Sequence, residues 1–419
     1  MKFRSSPRSA NTLGPLLLTF LSLLAVSTSL FAHGERAQQA NVRMRTINWY
    51  DVEISPAKVE VGEIVTVKGR MRVSKYWPDH LPSVTDRVFL NVGTSGPNFV
   101  RLQSHIDGVS MVQSTSLEIG RDYEFGMTLK ARRPGRFHVH PVLSVLDAGG
   151  MVGPGIWVDV FGEHAAFENT VETMFGKTIE LETFNLPVVY AWHSLWFVVG
   201  AAWLLYWFRQ RPLLVPRMRG VKEIEENGGD GDEIITTTDR KVAIGFVIVT
   251  LAIIVAGYQW ATWQYPTTTP LRTSKVEVPK KDPPAHVVDV ELADATYRIP
   301  GRSFQMELNV TNTGTETYYV GEFSVANVRF INPAVKSVEP RDGHDLVAAS
   351  GLRVENDGIA PGETKQIRVF AEDAQWETQR LTEMLNDPDS VIAGLLFFES
   401  RDGAREVVDI GGNILPVFQ

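Results

Sequence analysis

The chain has 419 residues, more than one average domain needs, and a formal net charge of −8. That balance excludes a generally basic nucleic-acid surface. With no cysteine, disulfides are excluded, as is any site built on the chain's own thiolates, whether blue copper, zinc–thiolate or iron–sulfur.

Residues 1–32 read as a secretory signal. Lys2, Arg4 and Arg8 supply a positive start, residues 13–24 are apolar, and Ser29-Leu30-Phe31-Ala32 closes the segment. Cleavage after Ala32 would free the α-amino group of His33, and an amine and imidazole on one residue can chelate a metal ion. From residue 33 to about 182 the pattern is β. Val65 and Val67 alternate with polar neighbours, and further strands are expected at 87–92, 123–130, 137–146 and 155–160, with Pro and Gly between them. Short strands at this spacing predict an antiparallel sandwich of immunoglobulin or cupredoxin type.

Two apolar segments follow. Residues 183–208 and 242–271 contain no Asp, Glu, Lys or Arg, and each exceeds the ~20 residues a membrane-spanning helix requires. Trp203, Tyr206 and Trp207 lie near one end of the first, and Tyr258, Trp260 and Trp263 near one end of the second, as aromatic belts do. The intervening loop, 209–241, holds Arg209, Arg211, Arg217, Arg219, Arg240 and Lys241. By the positive-inside rule it is cytoplasmic, which puts both soluble regions outside, as the signal does. Within it, residues 227–232 read as a mobile loop. Spans are expected at 183–208 and 242–265. Residues 266–419 predict a second sandwich: 305–310 alternate strictly, 311–314 form a turn, and a helical insertion sits around 374–385. The turn at 359–364 resembles that at 59–65.

Chemistry concentrates on three histidines. In a strand through Arg136-Phe137-His138-Val139-His140, His138 and His140 share one face. With His33 they offer three imidazoles and an amine, a nitrogen-only set that suits Cu, Zn or Ni, with Cu(II) heading the affinity order. The metal residues expected are therefore His33, His138 and His140, with copper as the ion. Glu35 is a candidate to orient a ligand imidazole. His193 falls inside the first apolar span. His80, His105, His164, His286 and His344 are isolated. No triad, phosphate loop or carboxylate pair stands out, and no residue is assigned a catalytic role.

Several longer segments carry a family resemblance: His33-Gly34-Glu35, Arg43-Met44-Arg45-Thr46-Ile47-Asn48-Trp49-Tyr50-Asp51, Phe89-Leu90-Asn91-Val92, residues 129–135 with His138-Val139-His140, residues 238–243, Asp387-Pro388-Asp389-Ser390 and residues 393–398. Through them the chain resembles the copper-containing beta subunit of particulate methane monooxygenase and, less closely, that of ammonia monooxygenase. The resemblance implies a mainly β fold, two cupredoxin-like β-sandwich domains joined by two transmembrane helices. It implies copper at His33, His138 and His140. It also implies assembly with two other integral-membrane subunits (alpha and gamma) as a trimer of heterotrimers, in an inner or intracytoplasmic membrane with both soluble domains periplasmic or lumenal. The reaction implied is methane to methanol with O2, with quinol as electron donor. Asn48 stands where some members carry a histidine that serves an additional copper position. The competing readings are an ammonia-oxidising subunit and a membrane-anchored copper-binding protein without catalysis of its own.

Overall fold

The structure is a computed structural model that describes residues 38–210, 214–229, 234–267, 274–281, 285–299, 302–335 and 346–418. The signal segment, His33, Glu35 and His344 lie outside the described residues. The chain divides into two units. One joins the residues up to Phe167 with Ser274–Gln419; the other is Glu168–Thr273.

The first unit contains two sandwiches, each of two five-stranded sheets or their near equivalent. In the first sandwich β1 (Ile47–Ser55), β3 (Ile64–Val73), β7 (Asp122–Ala131), β5 (Phe99–Ile106) and β6 (Val109–Ser110) form one sheet. The facing sheet orders β2 (Lys58–Glu60), β10 (Ile156–Phe161), β8 (Gly135–Val145) and β4 (Val88–Gly93), with β9 (Gly149–Val152) also on β8. The predicted alternation is what assembles the core: Val65 and Val67 are fully buried, while Thr66 and Lys68 between and beside them are exposed. Residues 274–281 strap across this sandwich. Thr115 donates to the Val276 carbonyl at 2.6 Å, and Val276 and Val278 pack on the core.

The second sandwich pairs the sheet β18 (Leu352–Glu355), β19 (Thr364–Glu372), β14 (Ser303–Asn312), β13 (Val288–Arg298) and β22 (Leu415–Val417) with β17 (Val347–Ala348), β16 (Val328–Ile331), β15 (Tyr318–Val325), β20 (Val391–Ser400) and β21 (Arg405–Asn413). The helical insertion is a single turn, Gln375–Thr378, followed by a 3-10 segment, Leu381–Asn386. It delivers Trp376 into the core, where its ring centroid lies 5.2 Å from Phe330, 5.4 Å from Phe304 and 5.6 Å from Tyr297.

The segment 43–51 joins the two sandwiches. Helix α1 (Ala40–Arg45) inserts Ala40 and Met44 into the second core. Arg43 donates to the Gln379 carbonyl, and Arg45 pairs with Asp389 at 2.7 Å. In β1, Trp49 turns into the first core, 5.0 Å from Phe125, so Tyr50 faces the other way and meets Phe397 at 5.8 Å. Asp51 closes the joint on Arg405 at 2.7 Å.

The second unit holds a small hairpin, β11 (Thr170–Glu172) with β12 (Thr178–Glu180), and the helices α2 (Leu186–Gln210), α3 (Leu214–Asn227) and α4 (Thr237–Gln264). Spans of 23 and 28 residues in α2 and α4 are long and apolar enough to cross a membrane. Their packing seam is heptad-like. On α2 the partly covered residues include Trp196, Val199, Trp203, Tyr206 and Trp207; on α4 they include Phe246, Thr250, Ile253 and Gly257. Trp203 meets Phe246 at 4.9 Å, and a Cβ on Gly257 would collide with Trp192. Tyr206 donates to buried Asp239 at 2.7 Å, and Thr236 and Asp239 close a capping box on α4. Helix α3 lies inside the segment read from sequence as a connecting loop. Its alternating charges support a helix surface, with Lys222 and Glu226 one turn apart.

Candidate metal centre

The site rests on β8. Its first half pairs with β10, Trp157 lying opposite His138, and its second half pairs with β4, Gly93 lying opposite His140. Phe137 and Val139 point into the sandwich core, so the strand's alternation throws both histidines to the opposite face. Their ring centroids are 4.3 Å apart and nearly perpendicular, at 87°. The His138 ring also lies against the Trp157 indole, 4.7 Å away, and Arg136 covers that indole at 5.0 Å.

His140 is buried, and its Nδ1 lies 3.0 Å from the Gly153 carbonyl. A carbonyl oxygen only accepts, so Nδ1 carries the proton, the tautomer in which an imidazole offers Nε2 as its ligating nitrogen. The chain then runs Gly153-Pro154-Gly155 over the two rings. A Cβ on Gly155 would sit 2.6 Å from His140 Nδ1 and 2.8 Å from His138 Cε1. Only a glycine there leaves both imidazoles their places. A Cβ on Gly153 would meet Pro141 at 2.7 Å and Trp49 at 2.9 Å.

Gln38 ties the chain's amino-terminal side to the same corner. Its side chain accepts from Val152 N at 3.2 Å and donates to the Gly150 carbonyl, pinning it along β9 one residue before Gly153. Two imidazoles, one with its tautomer set, held rigidly in a glycine cradle, fit a metal ion that favours nitrogen donors. Among the described residues, no group of three or more His, Cys, Asp or Glu is gathered for a metal, and His33 is not one of those residues.

The structure thus brings His138 and His140 together. Other histidines are elsewhere: His164 bonds to the Arg132 carbonyl at 2.8 Å, His286 meets Glu406 at 3.2 Å, and His193 is on α2. Asn48 is buried, on the face of β1 opposite Trp49. Sequence reasoning does not single out Gly155, Gly153, Trp157 or Gln38. The available signal is the Gly-Pro-Gly triplet set between two strands, where one punctuating glycine would suffice for a turn.

Comparison with known proteins identifies the family. Residues 34–418 fit the profile of the family of monooxygenase B-subunit proteins. The chain is 44% identical over 392 residues to a protein of Methylococcus capsulatus named particulate methane monooxygenase alpha subunit, covering 93% of both chains. That relative's Greek letter differs from the beta of the resemblance, but the letter is a label and the alignment spans nearly the whole of both proteins. Among solved structures, the cupredoxin domain of amoB from Nitrosocaldus yellowstonii is similar over 29% of this chain and 91% of its own, with 16% identity and a TM-score of 0.24. A likeness that weak adds nothing to the assignment. The match over residues 34–418 and the 44% identity do: the chain belongs to the monooxygenase B-subunit family, as a subunit of a membrane monooxygenase.

Proposed function

We propose that this chain is the copper-binding subunit of a complex that oxidises methane to methanol with O2 and a reductant, the ion being held by His33, His138 and His140. The observation that carries the reading is the pair of perpendicular imidazoles fitted under Gly155. Gln38 supplies the link to His33. Five residues span at most ~16–18 Å, and Gln38 is fixed beside the strand that leads into Gly153. The processed amino terminus therefore has the reach to bring its amine and imidazole to the pair. Bound copper would supply one-electron redox chemistry. The chain's own residues hold the imidazoles, set the His140 tautomer through Gly153, and shield the buried His140 ring from bulk water with the Gly-Pro-Gly loop.

In this reading residues 1–32 are removed as a signal, 33–182 and 266–419 face the periplasm or lumen, and 209–241 face the cytoplasm. Two other integral-membrane subunits complete the unit, three units assemble, and a quinol supplies electrons. The substrate assignment follows the relative's name, which specifies methane.

The test is copper content together with the Cu(II) paramagnetic resonance spectrum of the complex purified from its own membranes. Replacing His138 and His140 together by Ala should bring this chain's copper to background, and one extra residue ahead of His33 should change the spectrum. Full copper retention in the double variant, or a mature chain that does not begin at His33, would reject the ligand set. Turnover of ammonia without methane by the same preparation would move the substrate to the rival reading.

A further inference from the structure

His193 is an ionisable side chain inside a transmembrane helix, and the copper site makes no use of it. The apolar span of α2 runs Leu186–Phe208, 23 residues, or ~35 Å at 1.5 Å per residue against a hydrocarbon layer of ~30 Å. His193 lies seven residues in, ~10 Å along the axis, which places its Cα several ångströms below the layer's edge. Its Nδ1 is 2.8 Å from the Val189 carbonyl one turn back. A carbonyl accepts only, so Nδ1 is the protonated nitrogen and the ring is tied to its own helix. Nε2 is left as a lone-pair acceptor, and the ring is exposed.

The direction of that exposure is defined. With the α4-facing seam along Trp192, Trp196, Val199, Trp203 and Tyr206, a rotation of 100° per residue puts His193 about a quarter-turn round, with Phe197, Gly200 and Leu204 on the same flank. Phe197 is 77% exposed and Leu204 56%, and a Cβ on Gly200 would meet nothing within 4 Å. Lipid tails offer no hydrogen-bond donor to Nε2. Ionisable residues at this depth face protein, and a glycine beside them lets a second backbone approach.

We infer that this flank of α2 is a helix–helix interface, occupied by a transmembrane helix of a companion subunit that donates an O–H or amide N–H to His193 Nε2. The inference rests on the reading that the chain works within a multi-subunit membrane complex, and it names the surface and chemistry of one contact in it.

The test uses the full chain in its native membranes. A photo-crosslinking amino acid is placed at Phe197 or Leu204 on this flank and, as controls, at Val198 or Leu205 on the opposite one, which are 62% and 64% exposed. Position 197 or 204 should crosslink to a membrane-spanning peptide of a different polypeptide, mapped by mass spectrometry to a helix carrying a hydroxyl or amide side chain. His193→Leu should weaken retention of that polypeptide on detergent extraction by roughly three- to twentyfold, the range for one interhelical hydrogen bond, and His193→Gln should restore it. Crosslinks to lipid alone, to a second copy of this chain, or equally from both flanks would overturn the inference, as would unchanged retention in His193→Leu. Copper measured in the same preparations separates the two readings. Copper retained without the crosslink fails only this one; the crosslink without copper fails only the ligand set.

Discussion

The two sandwiches are built alike and equipped differently. Both have paired sheets, and both enter a central strand through the same turn. Glu63 returns its carboxylate to the Glu60 N–H at 2.8 Å, and Glu363 does the same to the Ala360 N–H at 2.8 Å. Each turn has a glycine with positive φ just before the glutamate, Gly62 at 94° and Gly362 at 74°. Yet the first sandwich places two imidazoles under a glycine loop, whereas the second fills its interior with stacked rings of Phe304, Phe323, Phe330 and Trp376. The architecture is a scaffold that does not itself specify a metal. In the proposed reading, what would specify one is the His-x-His register of one strand and the Gly-Pro-Gly crossing above it.

That division of labour can be broken first in the second sandwich. Trp376 is fully buried and donates its indole N–H to the Ala371 carbonyl at 2.9 Å. Trp376→Ala should cost about 3–5 kcal/mol, read as a lower melting temperature of the purified complex. The copper spectrum of the surviving folded fraction should be unchanged. A spectrum that shifts with this substitution would mean the second sandwich shapes the site.

The joint between the sandwiches comes next. Asp409, on the second, accepts from the Lys75 N–H of the first at 2.8 Å and is buried. Burial pushes its carboxyl up from 3.8 to about 6, partly offset by the Lys75 N–H and by Arg72. Between those values the unfolded chain has lost the proton and the folded chain keeps it, so stability falls as pH rises from about 4 to 6 and then levels. The loss is on the order of 3 kcal/mol at most. Asp409→Asn should be the more stable protein at pH 7.5, with the gap closing by pH 4. Parallel melting curves for the two proteins across that range would remove Asp409 from the joint's energetics.

Strands were the legible part of this molecule, because one buried face imposes a period of two on residues such as 65–68 and 305–310. The transmembrane spans were legible for the converse reason, since lipid tolerates no charge through them. Helix α3 was not legible: its Arg, Lys and Glu residues bury no stripe, and a polar surface helix has no strong period to detect. The His138–His140 pairing could be read from local alternation. Gly155 could not be identified as its cradle, because a glycine's sequence shows only that a side chain is missing, not what occupies the space. The contacts of residues 43–51 were equally hidden, since Arg43, Arg45 and Asp51 find partners more than 330 residues away.

The cradle itself gives a smaller and more selective effect. In Gly155→Ala the new methyl would press on ring atoms of His138 and His140, not on backbone. Rings can swing, so the fold should persist, but the His140 bond to Gly153 and the shared orientation would be lost. Copper affinity should drop roughly 10–100-fold, as when a group that positions a ligand is removed, with the melting temperature of the copper-free protein nearly unchanged. Equal losses of copper and of fold would make Gly155 a structural glycine only.

The finest comparison is between the two turns. If the sandwiches share one design outside the site, Glu63→Ala and Glu363→Ala should be equivalent, because each deletes one carboxylate-to-backbone bond in an exposed turn and leaves the turn-closing bonds, Glu63 N–H to the Glu60 carbonyl and Glu363 N–H to the Ala360 carbonyl, both at 3.0 Å. Each should cost about 0.5–1.5 kcal/mol, measured by urea or thermal unfolding, and the double variant should show the sum, since sites without shared partners add. Unequal losses would locate the difference between the sandwiches in the frame itself, because neither glutamate touches the histidines. Equal losses would put the difference between the sandwiches in the parts added to a shared frame, strand β8 with its glycine loop in the first and the Trp376 insertion in the second.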